Sequence, residues 1–190
     1  MRSSIVVALV VAAALTLAAC GSSGGKASST TSTTNAEVLS SPLWDKAGPK
    51  PSKSAQMVCQ KEAREDIAAN LGVKQTSVTK PTWNVAQHLF SCTYVYPKGT
   101  ITLSVKDMSN EAQTTAYFNT VKKKYGTVQM LQGLGQGAYL LKNNDLVARK
   151  DYKVLFVDVT KIPANFAPAM TRSDVALNVG VAIMGCWTGS

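Results

Sequence analysis

The chain has a single histidine, His88, among its 190 residues. Histidine is the side chain that most often serves as a general base near neutral pH, and it is also the commonest metal ligand. No serine or aspartate is linked to His88 by a recognisable catalytic motif, and the cysteines do not show the spacing of a zinc site. The sequence therefore predicts no catalytic residues, no metal site and no cofactor.

Glycines recur at alternate positions in residues 133–137, but they lack the Gly-x-Gly-x-x-Gly spacing of dinucleotide-binding proteins. The segment leads into a predicted strand and does not open a helix, so no helix N-terminus is available there for a pyrophosphate. We interpret this segment as a turn.

Long apolar runs are also scarce, because only residues 5–17 form one, interrupted by Thr16. This run is too short to cross a bilayer, and Arg2 before it is typical of a secretory signal. It ends in Leu17-Ala18-Ala19-Cys20, the pattern of a lipobox. The sequence predicts that residues 1–19 are a signal peptide and that Cys20, the first mature residue, is lipidated. An ordinary secretory signal with a chance cysteine is the alternative.

The predicted anchor sets the expected location of the protein. No later run is long enough to span a bilayer, so we expect everything after Cys20 to lie on the extracytoplasmic face of the cell membrane, held there by acyl chains. Nucleic acid is then an unsuitable partner. The net charge of +9 favours anionic phospholipid head groups or acidic envelope glycans. The run Lys122-Lys123-Lys124 has a second interpretation, since cations stabilise the last turn of a helix.

Composition divides the mature chain into two parts. Residues 20–53 are rich in serine, threonine and proline and hold few large apolar side chains, so they predict a disordered tether. Residues 54–190 are long enough for one hydrophobic core and predict a single domain.

Hydrophobic periodicity predicts ten elements in that domain. They are a helix over 55–70, a strand over 76–83, a hairpin over 88–96 and 101–105, a helix over 110–124, four strands over 128–131, 138–142, 146–150 and 153–160, and a last helix with Thr171 or Ser173 at its N-cap. The order α-β-β-β-α-β-β-β-β-α with hairpin connections predicts an α+β fold whose antiparallel sheet has helices packed on one face.

Three cysteines remain once Cys20 is lipidated. Cys59 lies on the apolar stripe of the first predicted helix, and Cys92 on the inward face of the predicted central strand, so we expect these two to form a disulfide in an oxidising compartment. A loop of about 34 residues would stabilise the domain by roughly 3 kcal/mol. Cys186 is then left over, and we interpret it as a buried apolar residue and not as a nucleophile.

Several of these features resemble a family of actinobacterial secreted lipoproteins that contain a domain of unknown function. They are the helix with Cys59 that ends in Leu71-Gly72, the strand with Cys92, the segment 133–139, a valine-rich strand and a terminal aliphatic helix. The resemblance covers most of residues 56–183 and implies a paired Cys59 and Cys92, a high-GC Gram-positive envelope and no assigned activity. This chain departs from it at Gln136-Gly137, where the family tends to an acidic residue followed by alanine, and in having Cys186.

The sequence leaves three functional hypotheses. The first is a non-catalytic binding domain for an envelope lipid, glycan or protein partner, with aromatic side chains as candidate ligand-lining residues: Trp83, Tyr94, Tyr96 and Tyr139, together with Tyr152 and Trp187. Packing of these aromatic side chains in the core is the alternative. The second is an envelope hydrolase that uses Cys186 or a serine with His88. The third is an accessory subunit of a membrane complex.

Overall fold

The computed structural model describes residues 46–167 and 169–188, and four helices and ten strands occur in them. In chain order these are α1 (Lys53–Met57), α2 (Lys61–Leu71), β1 (Ser77–Val78), β2 (Thr82–Asn84), β3 (Leu89–Tyr96), β4 (Gly99–Asp107), α3 (Glu111–Tyr125), β5 (Thr127–Leu131), β6 (Gly137–Leu141), β7 (Leu146–Lys150), β8 (Lys153–Asp158), β9 (Asn165–Ala167), β10 (Met170–Thr171) and α4 (Arg172–Thr188). The predicted signal peptide, the predicted lipidation of Cys20 and the tether before residue 46 lie outside the described residues.

Eight strands form one sheet in the order β1-β3-β4-β8-β7-β6-β5, with β2 also paired to β3. Every pairing is antiparallel, including that of β9 with β10 in a small separate sheet. The predicted α+β class with an antiparallel sheet is therefore confirmed. The β3–β4 hairpin and the four-strand meander β5 to β8 lie where the alternating patterns predict them.

The predicted order of elements is wrong in three places. The first predicted helix is two helices, because Gln60 has extended backbone angles and starts α2 as its N-cap residue. The predicted strand over 76–83 is two short strands, and Pro81, which has no backbone N–H to donate, lies between them. The proline-bearing loop after β8 contains the small β9–β10 pair.

The sequence predicts that all helices lie on one face of the sheet, and this is wrong. Leu146 and Ala148 of β7 pack in the core that includes α2 and α4, whereas Val147 between them packs with Phe118 and Val121 of α3. Successive strand residues point to opposite faces, so α3 covers the face opposite α2 and α4. The physical reason is the sequence of β6 to β8, which is apolar on both faces and needs cover on both.

The predicted disulfide between Cys59 and Cys92 is present. Cys59 belongs to the turn between α1 and α2 and not to a helix, and Cys92 lies in the middle of β3. The bond therefore ties the start of α2 to the sheet across 33 residues of sequence.

Structured chain begins before the predicted domain boundary at residue 54. The Ala47 amide donates to the Met108 carbonyl, and the Trp83 indole donates to the Pro49 carbonyl at 3.0 Å. Ser52 is buried and caps α1 by accepting a hydrogen bond from the Ala55 amide. Residues 46–53, which the sequence assigns to a disordered tether, are thus packed on the domain through polar contacts that a count of apolar residues does not reveal.

A buried ion pair lies under this segment. Asp107 and Lys153 face each other across β4 and β8, with 3.6 Å between the Lys153 Nζ and the Asp107 Oδ1, and both side chains are fully buried. The backbone amide and the hydroxyl of Ser52 each donate to the Asp107 carboxylate at 2.8 Å. This carboxylate therefore links the N-terminal segment to the sheet.

Candidate functional site

The structure does not bring the four predicted ligand-lining aromatic residues together. Tyr94 and Tyr96 point into the core between the sheet and α2 and α4, and Tyr139 is buried on the opposite face beneath α3. Trp83 is half-buried and donates its indole N–H to the Pro49 carbonyl. Trp83 packs against the core cluster that contains Tyr94 and Tyr96, and Tyr139 lies on the other face of the sheet, so the four side chains do not line a common surface.

The polar ends of the tyrosines show how each is held. The Tyr94 hydroxyl donates to the Val58 carbonyl at 2.7 Å, and the Tyr139 hydroxyl donates to the Phe118 carbonyl at 2.8 Å. The Tyr96 hydroxyl is buried and has no hydrogen-bond partner among the described residues, while its ring packs edge-on against Phe166. Burial raises the pKa of all three phenols, because the phenolate would lose its hydration.

His88 and Cys186, the candidate pair of the hydrolase hypothesis, lie apart. The His88 Nδ1 lies 3.0 Å from the Gly48 carbonyl and donates to it. The Cys186 thiol donates to the Asp66 carboxylate at 3.2 Å. Cys186 thus contacts α2, whereas His88 directly precedes β3 and contacts the segment before α1.

A groove of about 750 Å³ runs along the outer side of α2. One wall consists of α2 side chains that share a face of the helix, and the other wall is the segment that follows the helix. The lining residues are Lys61, Arg64, Glu65, Ala68, Ala69 and Gly72 on the first wall and Lys74 and Gln75 on the second. The groove lies beside the β1 edge of the sheet.

Local sequence explains the shape of the groove. The neighbouring stripe of α2, Ala63, Ile67 and Leu71, is buried against the core and fixes the rotation of the helix. Gly72 ends α2 in the left-handed conformation, at φ +63°, and turns the chain back beside the helix. Ala68 and Ala69 are too small to fill the space that this return encloses.

The charge of the groove is positive. It has three cationic side chains and one carboxylate, that of Glu65, which pairs with the exposed Lys61 at 3.6 Å. Arg64 is half-buried and donates through Nε to the Gln60 carbonyl at 3.2 Å, which holds its guanidinium in place. The amide oxygen of Gln75 is buried with no hydrogen-bond partner in the described part of the chain. The groove can therefore bind an anion through Arg64 and Lys74.

The structure gives no candidate ligand set for a metal. Within residues 46–167 and 169–188, no three histidine, cysteine, aspartate or glutamate side chains come together in a group that could hold an ion. None of the helices in that part of the chain has the length and apolar character needed to cross a bilayer.

Sequence reasoning missed this groove because it treats the outer side of α2 as a solvated helix face. Lys61, Arg64 and Glu65 do lie on that side. The sequence signal that was present is Gly72, which predicts the end of the helix, but periodicity does not say that residues 74 and 75 return alongside it.

Comparison with known proteins adds no relative to this description. No protein-family model, no curated protein and no solved structure matches the chain.

Proposed function

We propose that this chain is a lipid-anchored, extracytoplasmic binding domain without a catalytic role, and that it binds an anionic envelope molecule in the α2 groove. The ligand class is a glycan or lipid head group that carries a phosphate or carboxylate. The observation that carries this proposal is the juxtaposition of Arg64 and Lys74 around one groove.

Each side of the groove supports this ligand class. A guanidinium donates to carboxylate and phosphate oxygens in a fixed planar geometry, and a lysine adds a point charge. Ala68 and Ala69 present a small apolar surface on which a sugar ring or glycerol backbone can lie.

The proposed extracytoplasmic location of the protein is argued mainly from the sequence and not from the fold. The lipobox ending at Cys20 and the preceding apolar run predict a lipid anchor on the outer face of the cell membrane. The disulfide between Cys59 and Cys92 supports an oxidising compartment, where such bonds persist.

The separation of His88 and Cys186 favours binding over hydrolysis. Each makes a hydrogen bond to another group, His88 to the Gly48 carbonyl and Cys186 to Asp66. The hydrolase and the accessory-subunit hypotheses therefore remain predictions that no contact described above favours.

Calorimetric titration tests the proposal. Residues 20–190 with Cys20→Ser are titrated with dihexanoyl phosphatidylglycerol, a short-chain anionic lipid, and with N-acetylmuramyl dipeptide, an anionic wall fragment. We expect one of them to bind with a stoichiometry of one, and Arg64→Gln to weaken that binding at least about tenfold, since a hydrogen bond to a charged group contributes about 1.5–3 kcal/mol.

Lys80→Gln is the matched control, because it removes the same charge from an exposed lysine outside the groove. We expect it to change the affinity less than about twofold. Equal weakening by both variants would contradict a specific site. So would the failure of both probes to bind, together with a native mass spectrum showing no adduct on chain secreted by an actinobacterial host.

A further inference from the structure

The edge of the sheet farthest from the groove carries an exposed cluster of apolar side chains. Tyr125 at the end of α3 is 53% exposed, and on β5 Val128 is 69% and Met130 47% exposed. β5 is the last strand in the sheet order, so its outer edge has no neighbouring strand in this sheet. Three of the five exposed large apolar residues in the described chain thus lie within six positions.

Lysines surround this cluster. Lys122, Lys123 and Lys124 form the last turn of α3, and the Lys124 Nζ lies 5.0 Å from the centre of the Tyr125 ring. The side chain of Lys142 lies beside Gly126, where a Cβ would be 3.0 Å from its Cε. We call these seven residues the cationic edge: Lys122, Lys123, Lys124, Tyr125, Val128, Met130 and Lys142.

Strand register shows that part of the cationic edge shares a face with α3. Thr127 pairs with Leu141 and Met130 pairs with Tyr139, and both of those partners are buried beneath α3. Paired residues point to the same face of a sheet, so Thr127 and Met130 also face the α3 side. A depression of about 400 Å³ between helix and strand is lined by Asn119, Lys122, Lys123 and Thr127.

No acidic side chain offsets these charges nearby in sequence. Residues 112–144 contain no aspartate or glutamate. Their four cationic side chains are the four lysines of the cationic edge, and no carboxylate within that stretch balances them. Glu111 is at the other end of α3, about 18 Å from Lys123 along the helix axis. The Asp145 carboxylate accepts hydrogen bonds from the Val159 amide and from Asn143.

The helix macrodipole explains only part of this arrangement. Cations in the last turn of α3 are stabilised by the negative end of the helix. The macrodipole does not explain why Val128 and Met130, which lie on a strand, expose apolar surface to water. Apolar side chains among lysines, without carboxylates, are instead the pattern that complements an anionic bilayer surface.

We propose that the cationic edge is a membrane-contact surface for anionic phospholipid head groups, which would hold the domain in one orientation at the bilayer. The lysines bind the head-group phosphates, and Tyr125, Val128 and Met130 enter the interfacial region. This proposal is independent of the α2 groove, which lies beside β1 at the opposite edge of the sheet.

Vesicle co-sedimentation tests it with residues 20–190 carrying Cys20→Ser, so that neither an acyl chain nor the predicted signal peptide is attached. The vesicles contain either phosphatidylcholine with about 30% of the anionic lipid phosphatidylglycerol or phosphatidylcholine alone. The test variant replaces Lys122, Lys123 and Lys124 with glutamine. The control replaces three exposed lysines elsewhere, Lys80, Lys98 and Lys161, in the same way and has the same net charge.

We expect binding to the anionic vesicles to fall at least about tenfold in the test variant and less than about threefold in the control, since each lysine near an anionic surface strengthens binding by about fivefold. Met130→Glu, at an exposed position, should also weaken binding without changing the melting temperature. Equal losses in the two triple variants would overturn the proposal. A dimer that forms without vesicles and is abolished by Met130→Glu would instead assign this edge to a second copy of the chain.

Discussion

The buried ion pair between Asp107 and Lys153 leads to a quantitative prediction about stability. Both side chains are fully buried, and Lys153→Met would remove the positive charge while keeping an apolar side chain of similar length. The Asp107 carboxylate would keep its two hydrogen bonds from Ser52 but would lose its counter-charge in a region without solvent. Breaking a buried pair in this way costs about 3–5 kcal/mol.

Urea unfolding at pH 7 measures this cost. With a slope of about 2 kcal/mol per molar urea, the midpoint for Lys153→Met should fall by about 2 M. Lys61→Met is the matched control, because the Lys61–Glu65 pair is exposed at 76% and 64%. An exposed pair contributes about 1 kcal/mol or less, so the control midpoint should fall by about 0.5 M or less.

A double-mutant cycle separates the pair from other effects of the substitutions. Asp107→Asn with Lys153→Met removes both charges together, so we expect it to cost at least about 2 kcal/mol less than the sum of the two single variants. Additive losses would refute the coupling. A loss below about 1 kcal/mol for Lys153→Met would refute the argument that burial makes the unpaired carboxylate costly.

Two further outcomes follow from packing and burial. Gly180→Ala should lower the melting temperature, because its Cβ would overlap a buried leucine of β7, whereas Gly185→Ala, whose Cβ meets nothing, should leave it unchanged or raise it. Alkaline unfolding should begin above pH 10. Burial raises the folded-state pKa of Tyr94, Tyr96 and Tyr139, so stability is retained below pH 10 and falls by up to about 1.4 kcal/mol per pH unit for each tyrosine as the unfolded chain ionises. A stability that is flat between pH 10 and 11 would contradict the second expectation.

Local patterns in the sequence predicted much of the fold. The strand predicted over 88–96 with Cys92 on its inward face is β3, and Phe90, Cys92, Tyr94 and Tyr96 on that face are all buried. The helix predicted over 110–124 is also confirmed as α3, and the Asn110 side chain caps it by accepting the Gln113 amide. These predictions succeed because strand alternation and helix capping involve residues only a few positions apart.

The candidate site was predicted poorly. Tyr94, Tyr96 and Tyr139 are core residues, Trp83 packs half-buried against the core, and the α2 groove contains none of the four. A tyrosine at an alternating strand position has the same local pattern whether the face it points to is covered by a helix or open to a ligand. Nothing within a few residues of Tyr139 indicates that α3 lies over it.

The sequence by itself determined the element types, the Cys59–Cys92 pairing and the end of α2 at Gly72, because each depends on periodicity or on the conformation of a single residue. Only the tertiary structure decided which face α3 covers, how the chain after Gly72 closes the groove, and that Asp107 meets Lys153. Asp107 and Lys153 are 46 positions apart in the sequence and adjacent only because β4 pairs with β8. Such contacts depend on how whole elements pack, and this packing minimises exposed apolar surface over the entire domain rather than over any local segment.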